Sequence, residues 1–134
     1  DQPADGPYAT AISNWMSYIR QGKRPFITGD GTQRRDMLHV DDAVSANIFA
    51  MNRTENFSGK VYDVGTGKNI SLNEVKDLVL SLFPHIQFVD KSTRPAEVLV
   101  TKANALPLKK IGWETKISIK DGIFRCFKEL RNEI

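Results

Sequence analysis

The chain is short of the residues on which much protein chemistry depends. Its 134 residues include one cysteine, Cys126, and two histidines, His39 and His85. A single cysteine excludes a disulfide within the chain and fits a reducing compartment. With two histidines far apart in sequence, it offers no ligand spacing for a metal such as zinc. Nucleophilic catalysis is equally poorly served, because neither histidine lies in a serine- or cysteine-containing motif. No apolar run approaches the roughly 20 residues of a membrane span, and no secretory pattern opens the chain. These features predict a cytoplasmic protein with no membrane partner. Neither sign of charge dominates: 19 basic and 16 acidic residues leave +3. The charges are mixed along the chain, and the densest basic spots, "KRP" and "LKKIG", are too sparse for a nucleic-acid stripe.

What is present suits one small domain, with 40% apolar residues over 134 positions. The opening "DQPADGPYAT" has no initiator methionine and is rich in Pro and Gly, which reads as a cut end. Ile12, Trp15, Met16 and Ile19 recur at helical spacing between Thr10 and Gly22. A short strand over Pro25–Thr28 leads to a Gly29-Asp30-Gly31 turn, and "MLHV", Met37 to Val40, reads as a second strand. Asp41 or Asp42 then caps a helix whose Val44, Ile48 and Met51 share one face. Val61, Tyr62 and Val64 form a strand entering two glycines. Ser71 with Glu74 is a capping-box signature for a helix from Leu72 to Phe83, with Val75, Leu78, Val79 and Leu82 inward. "IQFV" is a further strand, Ala103 to Ile111 a short helix with Pro107 in its first turn, and Ser118 opens a last helix with Ile119, Ile123, Phe127 and Leu130 inward. Alternating helices and short strands make the chain mixed α/β.

Few segments invite a chemical reading. His39 alternates with apolar neighbours and reads as a structural histidine, His85 as a loop residue, and Cys126 as a small buried one. "VGTG" after a strand invites dinucleotide binding, but the motif lacks a correctly spaced third glycine and a following acid. The plainer reading is a turn feeding the Ser71-capped helix. Arginines lead further. Arg35 stands where a glycine turn enters a strand, and Arg94 precedes a proline that fixes the local chain, so each can hold a planar fork in a set direction. Two such forks suit a diphosphate. Spacing alone favours the blander pairing with nearby acids, Asp36 or Asp30 for the first and Glu97 for the second.

Four blocks change that balance. "PYATAISNWMSYIRQGKRPFITGDGTQRRDMLHVDDAVSAN", "VYDVGTGKNISLNEV", "RPAEV" and "IGWETKISIKDGI" together resemble, in order and spacing, the carboxyl-terminal portion of an NAD-dependent nucleotide-sugar epimerase or dehydratase of the extended short-chain dehydrogenase/reductase family. The resemblance runs from about Pro7 to Ile123 and is closest to the UDP-hexose 4-epimerases. It implies the substrate-binding portion of a Rossmann-type α/β enzyme, residues 1–134 forming one unit, with the NAD-binding Rossmann domain absent.

By position, the resemblance places the diphosphate-binding arginines of the family at Arg35 and Arg94, and leaves Arg34 variable and solvated. Glu97 stands where the family has an aspartate on the ribose hydroxyls. Phe26, Ile27 and Thr28 match the strand whose backbone recognises the base, usually uracil, and Ala11 and Ile12 match backbone donors facing the diphosphate. Val40, Asp41 and Asp42 match a helix-capping block. Asp63 replaces a usual asparagine.

The implied partner is a nucleotide sugar of the UDP-hexose kind, and the implied cofactor is NAD, held by the whole enzyme and not by this chain alone. No tyrosine here is followed four residues later by lysine: Tyr8, Tyr18 and Tyr62 precede Ile12, Gly22 and Thr66. The chain is therefore expected not to catalyse alone. A 4,6-dehydratase portion and a free-standing nucleotide-sugar or phosphate-binding module are the alternatives. Without a Rossmann partner, Val61, Val64, Val75 and Val79 lose cover, so self-association is expected.

Overall fold

The computed structural model describes residues 10–93 and 95–134. Among the described residues five helices and four short strands follow in the order α1 (Ala11–Arg20), β1 (Phe26–Thr28), β2 (Arg34–Arg35), α2 (Val40–Asn52), β3 (Ile70–Ser71), α3 (Leu72–Leu82), β4 (Val89–Lys91), α4 (Leu106–Lys110) and α5 (Ile119–Glu133). The mixed α/β class expected from the sequence is the one observed. The strands make two ribbons. β1 pairs in parallel with β4, Phe26 opposite Val89 and Thr28 opposite Lys91. β2 pairs antiparallel with β3, Arg34 opposite Ser71 and Arg35 opposite Ile70.

The main core lies where α1, α3 and α5 meet β1. Trp15 and Ile19, Leu72, Val75, Val79 and Leu82, and Ile123, Phe127 and Leu130 are all buried there with Ile27 and Ile70. These are the helical-period positions of the three helices, and burying each large side chain is worth about 1.5–3 kcal/mol. Trp15 also ties α1 to β1, its indole N–H donating to the Phe26 carbonyl at 2.7 Å. A smaller core gathers Ala46, Leu108 and Trp113 with Leu38, Phe49, Tyr62 and Ile111. The Trp113 indole N–H donates to Ser45 Oγ at 3.0 Å across it.

Several expectations give way. The second strand is Arg34–Arg35, not Met37–Val40. Met37 packs on the main core and Leu38 on the smaller one, so their apolar alternation serves two cores and no sheet. Val40 already belongs to α2, whose N-cap is His39: its Nδ1 accepts from the Asp41 N–H at 3.3 Å. The face of α2 carrying Val44, Ile48 and Met51 is exposed, Met51 by 82%. The inward face carries Asp42 and Ala46, because the Asp42 carboxylate, 2% exposed, receives the N–H groups of Lys116 and Ile117 at 3.0 and 2.9 Å. A carboxylate needs such partners when buried, and this one braces the chain before α5 where capping of α2 was expected.

Residues 61–64 form no strand among the described residues, and Val61 is 92% exposed. Of "IQFV" only Val89 enters a strand, while Ile86 and Phe88 pack on the core. Leu78 is half-buried. Val75 and Val79, expected to lack cover, are fully buried; α5 packs on α3 there.

At the start of α3 the capping box forms as read. Ser71 Oγ accepts from the Glu74 N–H at 3.1 Å, and the Ser71 N–H donates to Glu74 Oε2 at 3.0 Å. These bonds from the Ser71 N–H and hydroxyl, with the nearby Arg34 charge, hold the Glu74 carboxyl below its ordinary value of 4.5. A carboxyl whose folded pKa is depressed stabilises the fold above its unfolded pKa, and this is lost as pH falls through the folded one. Denaturant unfolding should therefore show Glu74→Gln, which keeps a capping side chain, losing less stability than wild type as pH drops below 4.5. Parallel pH profiles for the two proteins would contradict this.

Candidate functional site

β1 and β2 are joined by the Gly29–Thr32 turn, which is clasped to the start of α3. Asp30 Oδ1 accepts the Thr32 N–H at 3.0 Å and its hydroxyl at 2.6 Å, holding this exposed carboxyl below its ordinary value. Gly31 has φ of 74°, and a Cβ there would strike the Asn73 side chain, so the turn needs glycine. Asn73 answers with its N–H on the Gly31 carbonyl at 3.0 Å and its amide on the Asp30 carbonyl at 2.9 Å.

The turn delivers the chain into β2, where successive side chains point to opposite faces. Arg34 turns toward α3: its Nε donates to Asn69 Oδ1 at 2.8 Å, and its guanidinium lies 3.0 Å from Glu74 Oε2. Expected to be solvated, it is instead a half-buried strut, because Asn69 and Glu74 flank β3 on that face. Arg35 takes the other face. One terminal nitrogen donates to the Arg34 carbonyl at 3.0 Å and the other to Glu97 Oε1 at 3.2 Å. The second carboxylate oxygen, Glu97 Oε2, accepts from the Thr28 hydroxyl at 3.4 Å.

Three residues singled out in the sequence, Thr28, Arg35 and Glu97, thus meet in one cluster. The acid partner of Arg35 is Glu97, not Asp36 or Asp30. The side chains of Arg35 and Glu97 are 26% and 14% exposed, so the pair is mostly buried but still partly accessible. A partly exposed pair of this kind is worth about 0–1 kcal/mol, whereas a hydrogen bond to a charged group is worth about 1.5–3 kcal/mol. Arg35 has five N–H donors, and two are used among the described residues.

The other predicted residues sit nearby or apart. Ile27 is buried in the main core. The carbonyls of Phe26 and Thr28 already accept from Trp15 and from the Gln33 amide, each keeping a second lone pair. Ala11 and Ile12 pack on the main core at the head of α1, and no described hydrogen bond or ion pair joins them to Arg35 or Glu97. Arg94 lies outside the described residues.

Asp36 was weighed as a partner for Arg35 but has a different task. Its carboxylate accepts the Thr66 N–H at 3.0 Å, the Thr66 hydroxyl at 2.7 Å, the Gly67 N–H at 3.0 Å and the Ala103 N–H at 3.1 Å. The "VGTG" turn is thus an anion cradle filled by the chain's own aspartate. Gly65 is required for this closeness, since a Cβ there would collide with that of Ala103. Asp63 ties the same two segments, accepting the Asn104 N–H at 3.0 Å. Gln33 and the actual task of Asp36 escaped sequence reading: their partners lie in other segments, and a lone polar residue beside a strand carries no local signal. Cys126 is half-buried, where burial and the neighbouring Glu129 push its thiol pKa up, away from a reactive thiolate.

The chain belongs to the NAD dependent epimerase/dehydratase family, whose pattern matches residues 3–65. A provisionally named UDP-glucose 4-epimerase of Methanocaldococcus jannaschii is 31% identical over 126 residues, covering 92% of this chain and 40% of that protein. The UDP-glucose 4-epimerase of Thermotoga maritima, solved with UDP-glucose, superposes with a TM-score of 0.84 at 28% identity, over 98% of this chain and 42% of that one. An NAD-dependent NDP-hexosamine 5,6-dehydratase of tunicamycin biosynthesis superposes at 0.77 with 27% identity, over 97% and 43%. The chain spans about two fifths of the length of the relatives it matches. NAD is the cofactor of the family by its description. The glycine turn at residues 65–67, which resembles a pyrophosphate cradle, does not fit it, because the Thr66 and Gly67 N–H groups are spent on Asp36.

The packing of Gly65 against Ala103 yields a direct test. Gly65→Ala should destabilise the protein by about 1–3 kcal/mol, as overpacking does, and adding Ala103→Gly should recover part of the loss. Equal stability of Gly65→Ala and wild type in thermal melts would show that the turn does not close on Ala103.

Proposed function

We propose that this chain supplies the nucleotide-sugar-binding portion of an NAD-dependent epimerase of the UDP-hexose 4-epimerase kind, with the NAD site and the Tyr-Lys catalytic pair assigned to sequence outside these 134 residues. The observation that supports the reading is Arg35. Its guanidinium is held at both terminal nitrogens, its side chain is partly exposed, and three donors are uncommitted among the described residues. Such a group offers a diphosphate oriented N–H donors without the cost of ordering a free side chain.

Local charge sharpens the assignment. On β2, Arg34 is matched by Glu74 and Arg35 by Glu97, so these four side chains sum to zero. Attraction for a dianionic diphosphate then rests on a further cation, and Arg94, three residues before Glu97 in sequence, is the residue the reading assigns. The strand Phe26–Thr28 and the head of α1 at Ala11 and Ile12 supply backbone groups for the base and the phosphates; a helix start leaves N–H groups without intrahelical partners. Glu97 borders the ribose side of the same site. Epimerase and dehydratase relatives both act on nucleotide-linked sugars by name, so the reading stops at binding of the nucleotide sugar.

Calorimetric titration of UDP into the protein tests this. Each charged bond to phosphate contributes about 1.5–3 kcal/mol, so Arg35→Ala and Arg94→Ala should each weaken UDP binding at least about tenfold. Unchanged affinity in both variants would remove the assignment.

A further inference from the structure

Gln33 is 4% exposed, one of only three buried polar or charged side chains among the described residues. It lies just before β2 and bonds backward, across the turn, to the end of β1. Its amide nitrogen donates to the Thr28 carbonyl at 2.8 Å and lies 3.4 Å from Thr28 Oγ1. The Gln33 carbonyl accepts from the Leu72 N–H at 3.2 Å, which anchors the residue to the head of α3.

These contacts fix the direction of a series of hydrogen bonds. A threonine hydroxyl has one proton and two lone pairs. With the Gln33 amide donating toward Oγ1, the Thr28 proton is left for Glu97 Oε2 at 3.4 Å. That bond sets the rotation of the Glu97 carboxylate and presents Oε1 to Arg35 at 3.2 Å. Both oxygens of Glu97 therefore have protein partners, and the guanidinium is fixed by Glu97 on one nitrogen and the Arg34 carbonyl on the other. A planar group held at two corners has its remaining N–H directions set.

We propose that Gln33, Thr28 and Glu97 are positioning residues for Arg35, a partly buried series of side chains that holds its guanidinium ready for the diphosphate. The proposal rests on the reading of Arg35 as a phosphate ligand and adds how its orientation is maintained. Glutamate suits the position because it reaches two partners at once, and the two long bonds in the series have most to gain from tightening when phosphate draws on Arg35. The hydroxyl of Thr28 thereby acquires a task separate from the backbone of its strand.

A double-mutant cycle separates positioning from general damage. UDP is titrated calorimetrically into wild type, Thr28→Val, Gln33→Met and Arg35→Ala, and into Arg35→Ala combined with each of the other two; thermal melts establish that each variant is folded. Thr28→Val and Gln33→Met should weaken UDP binding about three- to tenfold when Arg35 is present, the loss of roughly one hydrogen bond, and less than about twofold when it is alanine. Thr28→Ser, which restores the hydroxyl, should recover the affinity lost in Thr28→Val; if the valine variant does not fold, Thr28→Ala replaces it. Equal losses in both backgrounds, or no loss with Arg35 present, would overturn the positioning role. An Arg35→Ala variant with wild-type affinity would instead overturn the phosphate reading, and the positioning role with it.

Discussion

Everything that faces the candidate site depends on the pinning of one three-residue segment, Arg34-Arg35-Asp36. β2 is only two residues long, too short to hold itself, and it is gripped from both edges. On one edge it pairs with Ile70 and Ser71. On the other, the Arg34 N–H donates to the Leu99 carbonyl at 2.7 Å and the Arg34 carbonyl accepts from the Thr101 N–H at 3.0 Å. Past its end, Asp36 gathers Thr66, Gly67 and Ala103 onto a single carboxylate. Hydrogen bonds to a charged acceptor are the stronger kind, and a carboxylate with four of them would be costly to move. Alternation along this fixed backbone then sends Arg34 to Glu74 on the α3 side and Arg35 to Glu97 on the other.

The two arginines show how identical side chains acquire opposite tasks from one residue of register. Arg34 spends its donors on Asn69 and Glu74, and so joins β2 to the capping box of α3. Arg35 meets a glutamate that is itself held by a second strand. The glycine turn after residue 64 is filled by Asp36, which removes the one local feature that resembled a cofactor cradle. Those facts support the proposed reading of the chain as a nucleotide-sugar-binding portion.

Much of the fold was legible because helix signals are local. Ser71 and Ser118 cap where their sequence context indicates, Thr10, where the first helical run begins, is the cap of α1, and the buried faces of α3 and α5 follow the helical period. Sheet structure was less legible, since strands of two or three residues leave no period to read and take their partners from distant segments. α2 misled because its most apolar stripe is the exposed one, while burial is set by Asp42 reaching the backbone before α5. In the site, Arg35 and Glu97 stood out through their motifs. Their contact with each other across 62 positions did not, nor did the tasks of Gln33 and Asp36, whose partners are brought by tertiary structure alone.

The central claim is that the surface formed by the end of β1, by β2 and by Glu97 is where a nucleotide diphosphate sits. The most direct measurement is an NMR titration of the isotopically labelled chain with UDP, following backbone amides and arginine side-chain N–H signals together. The account predicts saturable shifts at Thr28, Arg35 and Glu97, with the amides of α5 beyond Gly122 unmoved. Saturable shifts confined to α5 or to the exposed stripe of α2, with Arg35 silent, would contradict it.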